Sequence, residues 1–112
     1  MENIQLKKGV LELCVLMLVR KKDHYGYELV MSISKYFEIS EGSIYPLLHR
    51  MTKETLFTTY LLESKEGPPR KYYKITEKGV QKLEKLVEEW KLFVSSVQDI
   101  LDDWGDENIR EK

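Results

Sequence analysis

The chain has 112 residues, 42% of them hydrophobic, with 18 Lys/Arg against 19 Asp/Glu and one cysteine. That length suits one domain, or one domain plus a long helix, and the lone Cys14 excludes an internal disulfide framework and fits a reducing, cytoplasmic compartment. The net charge of −1 gives no global nucleic-acid signal, but residues 1–79 carry 13 basic against 10 acidic side chains while residues 80–112 carry 5 against 9, so any anion-binding surface lies before the acidic C-terminal segment.

Residues 6–21 read as a helix that is apolar on nearly all sides from Val10 to Val19, which predicts burial on more than one side. The apolar run is too short to span a bilayer, contains Glu12, and is followed by no signal-peptide cleavage site. Cys14 within it reads as a small buried hydrophobe. Arg20, Lys21 and Lys22 suit the helix C-terminus, and Asp23-His24 makes the break, with one of the two near the next N-cap. A second helix is expected over Tyr25 to Tyr36, with Leu29, Ile33 and Tyr36 or Phe37 on one face and Gly26 permitting close helix contact. Ser40, or alternatively Ser43, caps a third helix that runs to about Glu54. Its packing face is Ile44, Leu47, Leu48 and Met51, and Pro46 falls in the first turn if Ser43 is the cap.

A β-prone run from Leu56 to Leu62 follows, and Tyr72, Tyr73 and Ile75 form a second strand, with the loop near Ser64 to Pro69. Residues 50–78 hold seven basic side chains (Arg50, Lys53, Lys65, Arg70, Lys71, Lys74, Lys78) against four acidic ones. Helix, then hairpin, then cationic tip is how a winged helix-turn-helix meets DNA: the helix enters a groove and the tip meets phosphate. From Thr76, a plausible cap, Val80, Leu83, Val87, Trp90, Val94, Val97, Leu101 and Trp104 recur at alternating spacings of three and four, a sustained heptad stripe. Leu86, Phe93 and Ile100 widen it. So much apolar surface on a small domain predicts self-association, the alternative being a helix folded back across its own core. The expected fold is mostly α with a small β-hairpin: a winged helix-turn-helix over residues 1–76, one long dimerisation helix over 77–104, and a frayed tail over 105–112.

No catalytic residue, metal site or cofactor is expected. His24 and His49 lack neighbours at metal-ligand spacing, and there is no Gly-rich phosphate loop, nucleophile elbow or His-Glu-x-x-His motif.

Three motifs in order, Asp23-His24-Tyr25-Gly26-Tyr27-Glu28-Leu29, Glu41-Gly42-Ser43-Ile44-Tyr45-Pro46-Leu47-Leu48-His49-Arg50-Met51 and Glu66-Gly67-Pro68-Pro69-Arg70-Lys71-Tyr72-Tyr73-Lys74-Ile75-Thr76-Glu77-Lys78-Gly79, closely resemble the PadR family, and Gly9-Val10-Leu11-Glu12-Leu13 fits as well. The length is similar to the family's short subfamily. The resemblance implies a homodimeric bacterial transcription regulator, usually a repressor, that leaves its operator when a small aromatic or hydrophobic molecule binds. Thr55 stands where the family often has glycine, and a β-branched residue resists the left-handed conformation a glycine would take there.

Residue by residue, the third helix offers Ser43, Tyr45, Pro46, His49 and Arg50 to DNA. Ser43 and Tyr45 can bond phosphate or base edges, Tyr45 and Pro46 can touch a thymine methyl, and Arg50 can neutralise phosphate or read guanine. Tyr45 could instead fill the core, and His49 could lie on a solvated face. On the wing, Gly67 and Pro68 shape the turn while Arg70 and Lys71 engage phosphate; of Tyr72 and Tyr73, one packs inward. Val87, Trp90, Val94, Val97, Leu101 and Trp104 form the dimer seam. Trp90 is similar to the tryptophan with which a lactococcal multidrug-binding member of the family stacks planar drugs, so that Trp90, Leu6, Leu13 and Val94 would wall a pocket for a planar aromatic or phenolic effector; simple packing on the seam is the alternative. The expected partner is double-stranded operator DNA carrying an inverted repeat, with no membrane; the competing reading is a winged-helix protein-interaction module without a small-molecule effector.

Overall fold

Four helices and three strands make up the computed structural model, which describes the backbone of residues 4–111 and the side chains of residues 9–106. In chain order they are α1 (Ile4–Lys21), β1 (His24–Tyr25), α2 (Gly26–Ser34), α3 (Glu41–Lys53), β2 (Phe57–Ser64), β3 (Gly67–Ile75) and α4 (Glu77–Glu111).

The near-continuous apolar surface of α1 puts Leu11, Leu13, Val15, Leu16 and Val19 into the core together with Leu29, Val30 and Ile33 of α2 and Ile44, Leu48 and Met51 of α3. Phe57 and Tyr73 of the hairpin and Leu83 of α4 close the cluster. Each such aliphatic side chain, fully buried, stabilises the fold by about 1.5–3 kcal/mol. Cys14 and Leu18 lie on the opposite flank of α1 and are half-buried, so Cys14 is less enclosed than a core hydrophobe. Burial still pushes its thiol up, which keeps it protonated and a weak nucleophile.

The break after α1 contains a strand that local pattern cannot reveal. His24 and Tyr25 pair antiparallel with Tyr73 and Tyr72, so the hairpin is the larger part of a three-stranded sheet ordered β1-β3-β2. His24 is buried, and its Nδ1–H donates to the Lys22 carbonyl at 2.7 Å. Tyr25, not Asp23 or His24, is the N-cap position of α2, and Glu28 accepts a 3.4 Å hydrogen bond from the Tyr25 backbone N–H.

Ser40 occupies the N-cap position of α3, which places Pro46 well inside the helix instead of in its first turn. There it has no N–H to offer the Gly42 carbonyl, a defect costing up to about 3 kcal/mol in a helix interior. The helix ends in a Schellman motif: Leu56 N–H bonds to Met51 O (3.0 Å) and Thr55 N–H to Thr52 O (2.9 Å). Thr55 fills the left-handed position of that motif with φ 63°, the one non-glycine with positive φ among the described residues. The expected resistance of a β-branched residue is overridden by the packing of Met51 and Leu56, both fully buried on either side of the turn.

The loop of the hairpin is Lys65-Glu66, because Ser64 pairs with Gly67; Gly67 and Pro68 begin β3 and do not form the turn. The ladder slips between Leu62 and Ser64, and the two prolines opposite that irregularity escape the requirement for N–H donors. Thr76 then starts α4: its Oγ1 accepts from Gly79 N–H at 3.0 Å and donates to the Thr55 carbonyl at 2.7 Å. Gly79 is required here, since a β-carbon on it would lie 2.4 Å from the Leu56 carbonyl oxygen. Helix α4 continues past residue 105, where the sequence placed the start of a frayed tail. It runs through Glu111, because Gly105 costs a helix only about 1 kcal/mol relative to alanine and has no positive φ to end it.

Candidate nucleic-acid interface

Burying Ile44, Leu48 and Met51 fixes the rotation of α3. The opposite side then carries Gly42, Pro46, His49 and Lys53, all exposed and spaced four, three and four apart on one helical stripe. Lys53 belongs to this stripe although no motif singles it out; the helical spacing from His49 was the available signal. Its position in the last turn also suits a cation.

The remaining α3 candidates lie on the flanks. Ser43 and Arg50 turn toward α1 and line a groove of about 570 Å³ with Gly9, Leu11, Glu12, Pro46 and Leu47. Arg50 is engaged within the protein, bonded to Glu12 and, at 2.9 Å, to Glu54. Glu12 also receives Lys82 Nζ at 2.7 Å, so one carboxylate ties α3 to α1 and α4. Burial raises the Glu12 carboxyl, but hydrogen bonds from Arg50 and Lys82 and their charges outweigh it and hold the group below its ordinary value. Tyr45, on the other flank, is 41% exposed, so it does not fill the core. Its ring lies over Gly26, where a β-carbon would stand 2.4 Å from Tyr45 Cε1.

Alternation along β3 separates its side chains cleanly. Tyr73 points inward and packs edge-on against Phe57, with centroids 6.1 Å apart. Tyr72 points outward, stacked on Tyr60 at 5.6 Å and meeting Tyr25 edge-on at 5.4 Å. Tyr60 Oη donates to Asp23 Oδ2 at 2.7 Å, and that bond pushes the phenol up to about 12, so the hydroxyl remains a donor. Arg70 shares the outer face, its guanidinium 4.5 Å above the Tyr25 ring. Lys71 is exposed on the other face, opposite Leu61. Arg70 and Lys71 therefore lie partway along the strand, while the tip itself is the charge-balanced Lys65-Glu66.

A helix with one polar stripe outward, beside a three-stranded sheet with cations on its hairpin, is the winged helix-turn-helix arrangement. The Transcriptional regulator PadR-like family matches residues 15–85. The chain belongs to the PadR-like family.

Among solved structures, a PadR-like transcriptional regulator from Bacillus cereus is 45% identical, with a TM-score of 0.79 over 87% of this chain and 96% of that one. A PadR-like transcription factor from Bacteroides fragilis is 37% identical, with a TM-score of 0.73 over 86% and 94%. An uncharacterized protein of Lysinibacillus sphaericus is 35% identical over 99 residues, 85% of this chain and 87% of that one. The PadR-like assignment makes the chain a DNA-binding transcriptional regulator.

The rest of this PadR-like chain's apolar surface lies on α4. Leu83 is buried and Leu86 and Val87 are half-buried, but from Trp90 onward the stripe leaves its own domain: Trp90 is 39% exposed and Trp104 60%. Trp90 and Leu13 line one cleft of about 180 Å³ with Gly9, Leu86, Glu89 and Phe93. Val94 lines a second depression of about 350 Å³, which shares Trp90 with the first but not Leu13, so the chain alone does not bring it into the Leu13 cleft. The Leu6 side chain lies outside the described residues. Among the described residues no group of His, Cys, Asp or Glu could hold a metal ion, and no helix is long and apolar enough to cross a membrane.

Proposed function

We propose that the protein acts in the cytoplasm as a homodimeric repressor, clasped through α4 and bound to an inverted-repeat operator. The observation that carries this reading is the α4 stripe. Trp90, Val94, Val97, Leu101 and Trp104 continue the heptad of buried Leu83 yet stay exposed on the single chain, a surface that a second copy would cover. Charge favours the same pairing. A groove of about 530 Å³ on α1 and α2, walled by Cys14, Met17, Leu18, Ile33 and Phe37, has Arg20 and Lys21 at its edge. The far part of α4 presents Asp99, Asp102, Asp103 and Asp106 beside Ile100, Leu101 and Trp104. In this reading Gly42, Pro46, His49 and Lys53 face the major groove, Ser43 and Tyr45 meet its edges from the two flanks of α3, and Gly67, Pro68, Arg70 and Lys71 follow the backbone, Arg50 joining them only by leaving Glu12.

A planar aromatic or phenolic effector would act at Trp90 by favouring one spacing of the two DNA-reading heads over the other. Quenching of Trp90 fluorescence in a Trp104→Phe background tests that part, and no response to any planar ligand counts against it.

Sedimentation at micromolar concentration and a gel shift with the protein's own upstream DNA test the whole. The expected result is a particle of twice 13.3 kDa, and a shift that weakens steeply with salt. Val97→Asp should give monomers and lose the shift. A dimer indifferent to DNA would favour a protein-interaction module instead.

A further inference from the structure

We propose that Tyr25 is a positioning residue for DNA binding: its ring aims the wing's Arg70, on a strand whose distance from the recognition helix the backbone already sets. The inference rests on the wing–phosphate contact proposed above and adds how that contact is ordered. Three observations meet at Tyr25. Its ring lies under the Arg70 guanidinium at 4.5 Å. The same ring meets Tyr72, which stacks on Tyr60, whose hydroxyl returns to Asp23 two residues before Tyr25. A closed circuit of side chains thus joins all three strands on the outer face of the sheet. Next in sequence, Gly26 receives the Tyr45 ring of α3 so closely that no β-carbon fits between them.

An arginine free to sample many rotamers loses side-chain entropy when it grips a phosphate. The Tyr25 ring holds the planar guanidinium in place beforehand without neutralising its charge, and it leaves the N–H edges open to an oxyanion. A carboxylate partner would order Arg70 equally well but would compete with phosphate. The backbone pairing of Tyr25 with Tyr72 and the contact of Gly26 with Tyr45 set the distance between strand and helix. Tyr25 therefore belongs to DNA recognition without touching DNA.

The test measures promoter-DNA affinity of the dimer across salt for wild type, Tyr25→Phe, Tyr25→Leu, Arg70→Ala and the Tyr25→Leu/Arg70→Ala double variant. Tyr25→Phe keeps the ring and should bind as wild type. Tyr25→Leu should lose about fivefold to thirtyfold, the exposed cation–π range counted once per subunit. Arg70→Ala should weaken binding and flatten the salt slope by about 1.8, for two phosphate contacts per dimer. The double variant should bind as Arg70→Ala alone, since Tyr25 works through Arg70. Independent, additive losses would overturn the inference. If Arg70→Ala binds as tightly as wild type at every salt, the wing–phosphate reading itself fails. In case Tyr25→Leu unfolds, NMR of the wild-type protein decides the matter independently. Arg70 δ-methylene protons should be shifted upfield by the Tyr25 ring, and random-coil positions would overturn the proposal.

Discussion

Replacing Glu12 by Gln removes the charge at the junction of three helices, and its cost can be bounded from the geometry. One carboxylate oxygen meets Arg50 and the other meets Lys82 at 2.7 Å, while the Glu12 side chain is only 13% exposed. Exposed ion pairs contribute about 0.2–1 kcal/mol and breaking a fully buried one costs about 3–5 kcal/mol. Arg50 and Lys82 are each more than a third exposed and rehydrate when their partner is gone, and Arg50 keeps Glu54 at 2.9 Å. The loss should therefore fall low in the interval, about 1.5 kcal/mol, or roughly 6 °C in midpoint for a chain of this size. The pH dependence follows from the lowered carboxyl. A group whose folded-state value is depressed contributes stability that is present above its unfolded value and lost as pH falls through the folded one. The gap between wild type and Glu12→Gln should thus be flat above 4.5, the ordinary value, and close as pH is taken below it. Thermal melts at fixed protein concentration on both sides of that pH measure it. An unchanged midpoint, or a gap that widens in acid, would refute the reasoning.

Two backbone positions give predictions of opposite sign. At Thr55, φ 63° places a β-branched residue in the left-handed region, a strain of about 1–2 kcal/mol. Thr55→Gly relieves it but adds roughly 0.5–1 kcal/mol of chain entropy to lose on folding, so urea denaturation should show a net gain of about 0.5–1 kcal/mol. Thr55→Ala, which keeps the β-carbon, should show no comparable gain. At Gly79 alanine offers about 1 kcal/mol of helix propensity, yet its β-carbon would lie 2.4 Å from a backbone oxygen and 2.7 Å from Ile75 Cγ1. Overpacking against backbone should win, and Gly79→Ala should lose about 1–2 kcal/mol in the same assay; a stabilised variant would show the α4–hairpin junction to be looser than these distances imply.

What the sequence made legible was periodic. The spacing of Ile44, Leu48 and Met51 set the rotation of α3, alternation required one of Tyr72 and Tyr73 to turn inward, which the fold shows to be Tyr73, and the heptad beginning at Val80 announced a helix with more apolar surface than its domain uses. What it hid was decided over long distances or by single residues. β1 is two residues long, too short for any period, and exists only because Tyr72 and Tyr73 lie alongside it. The bond between Arg50 and Glu12 joins residues 38 apart in the chain, so an arginine that reads locally as free for DNA is tied to α1. The hairpin loop went to Lys65-Glu66 because the pairing of Ser64 with Gly67 outranked the turn preference of Gly67-Pro68. Lys53 was counted among the basic residues but not placed on the DNA-facing stripe for the opposite reason: no motif drew it there, although its spacing from His49 was in plain view.

A hydroxyl-radical footprint of the upstream DNA is the most direct measurement of a two-fold particle reading DNA with paired α3 helices and wings. It should show two protected segments of equal extent, related by a dyad and lying on one face of the duplex, lost together in Val97→Asp. A single asymmetric segment, or uniform cleavage with wild-type protein in excess at low salt, would contradict it.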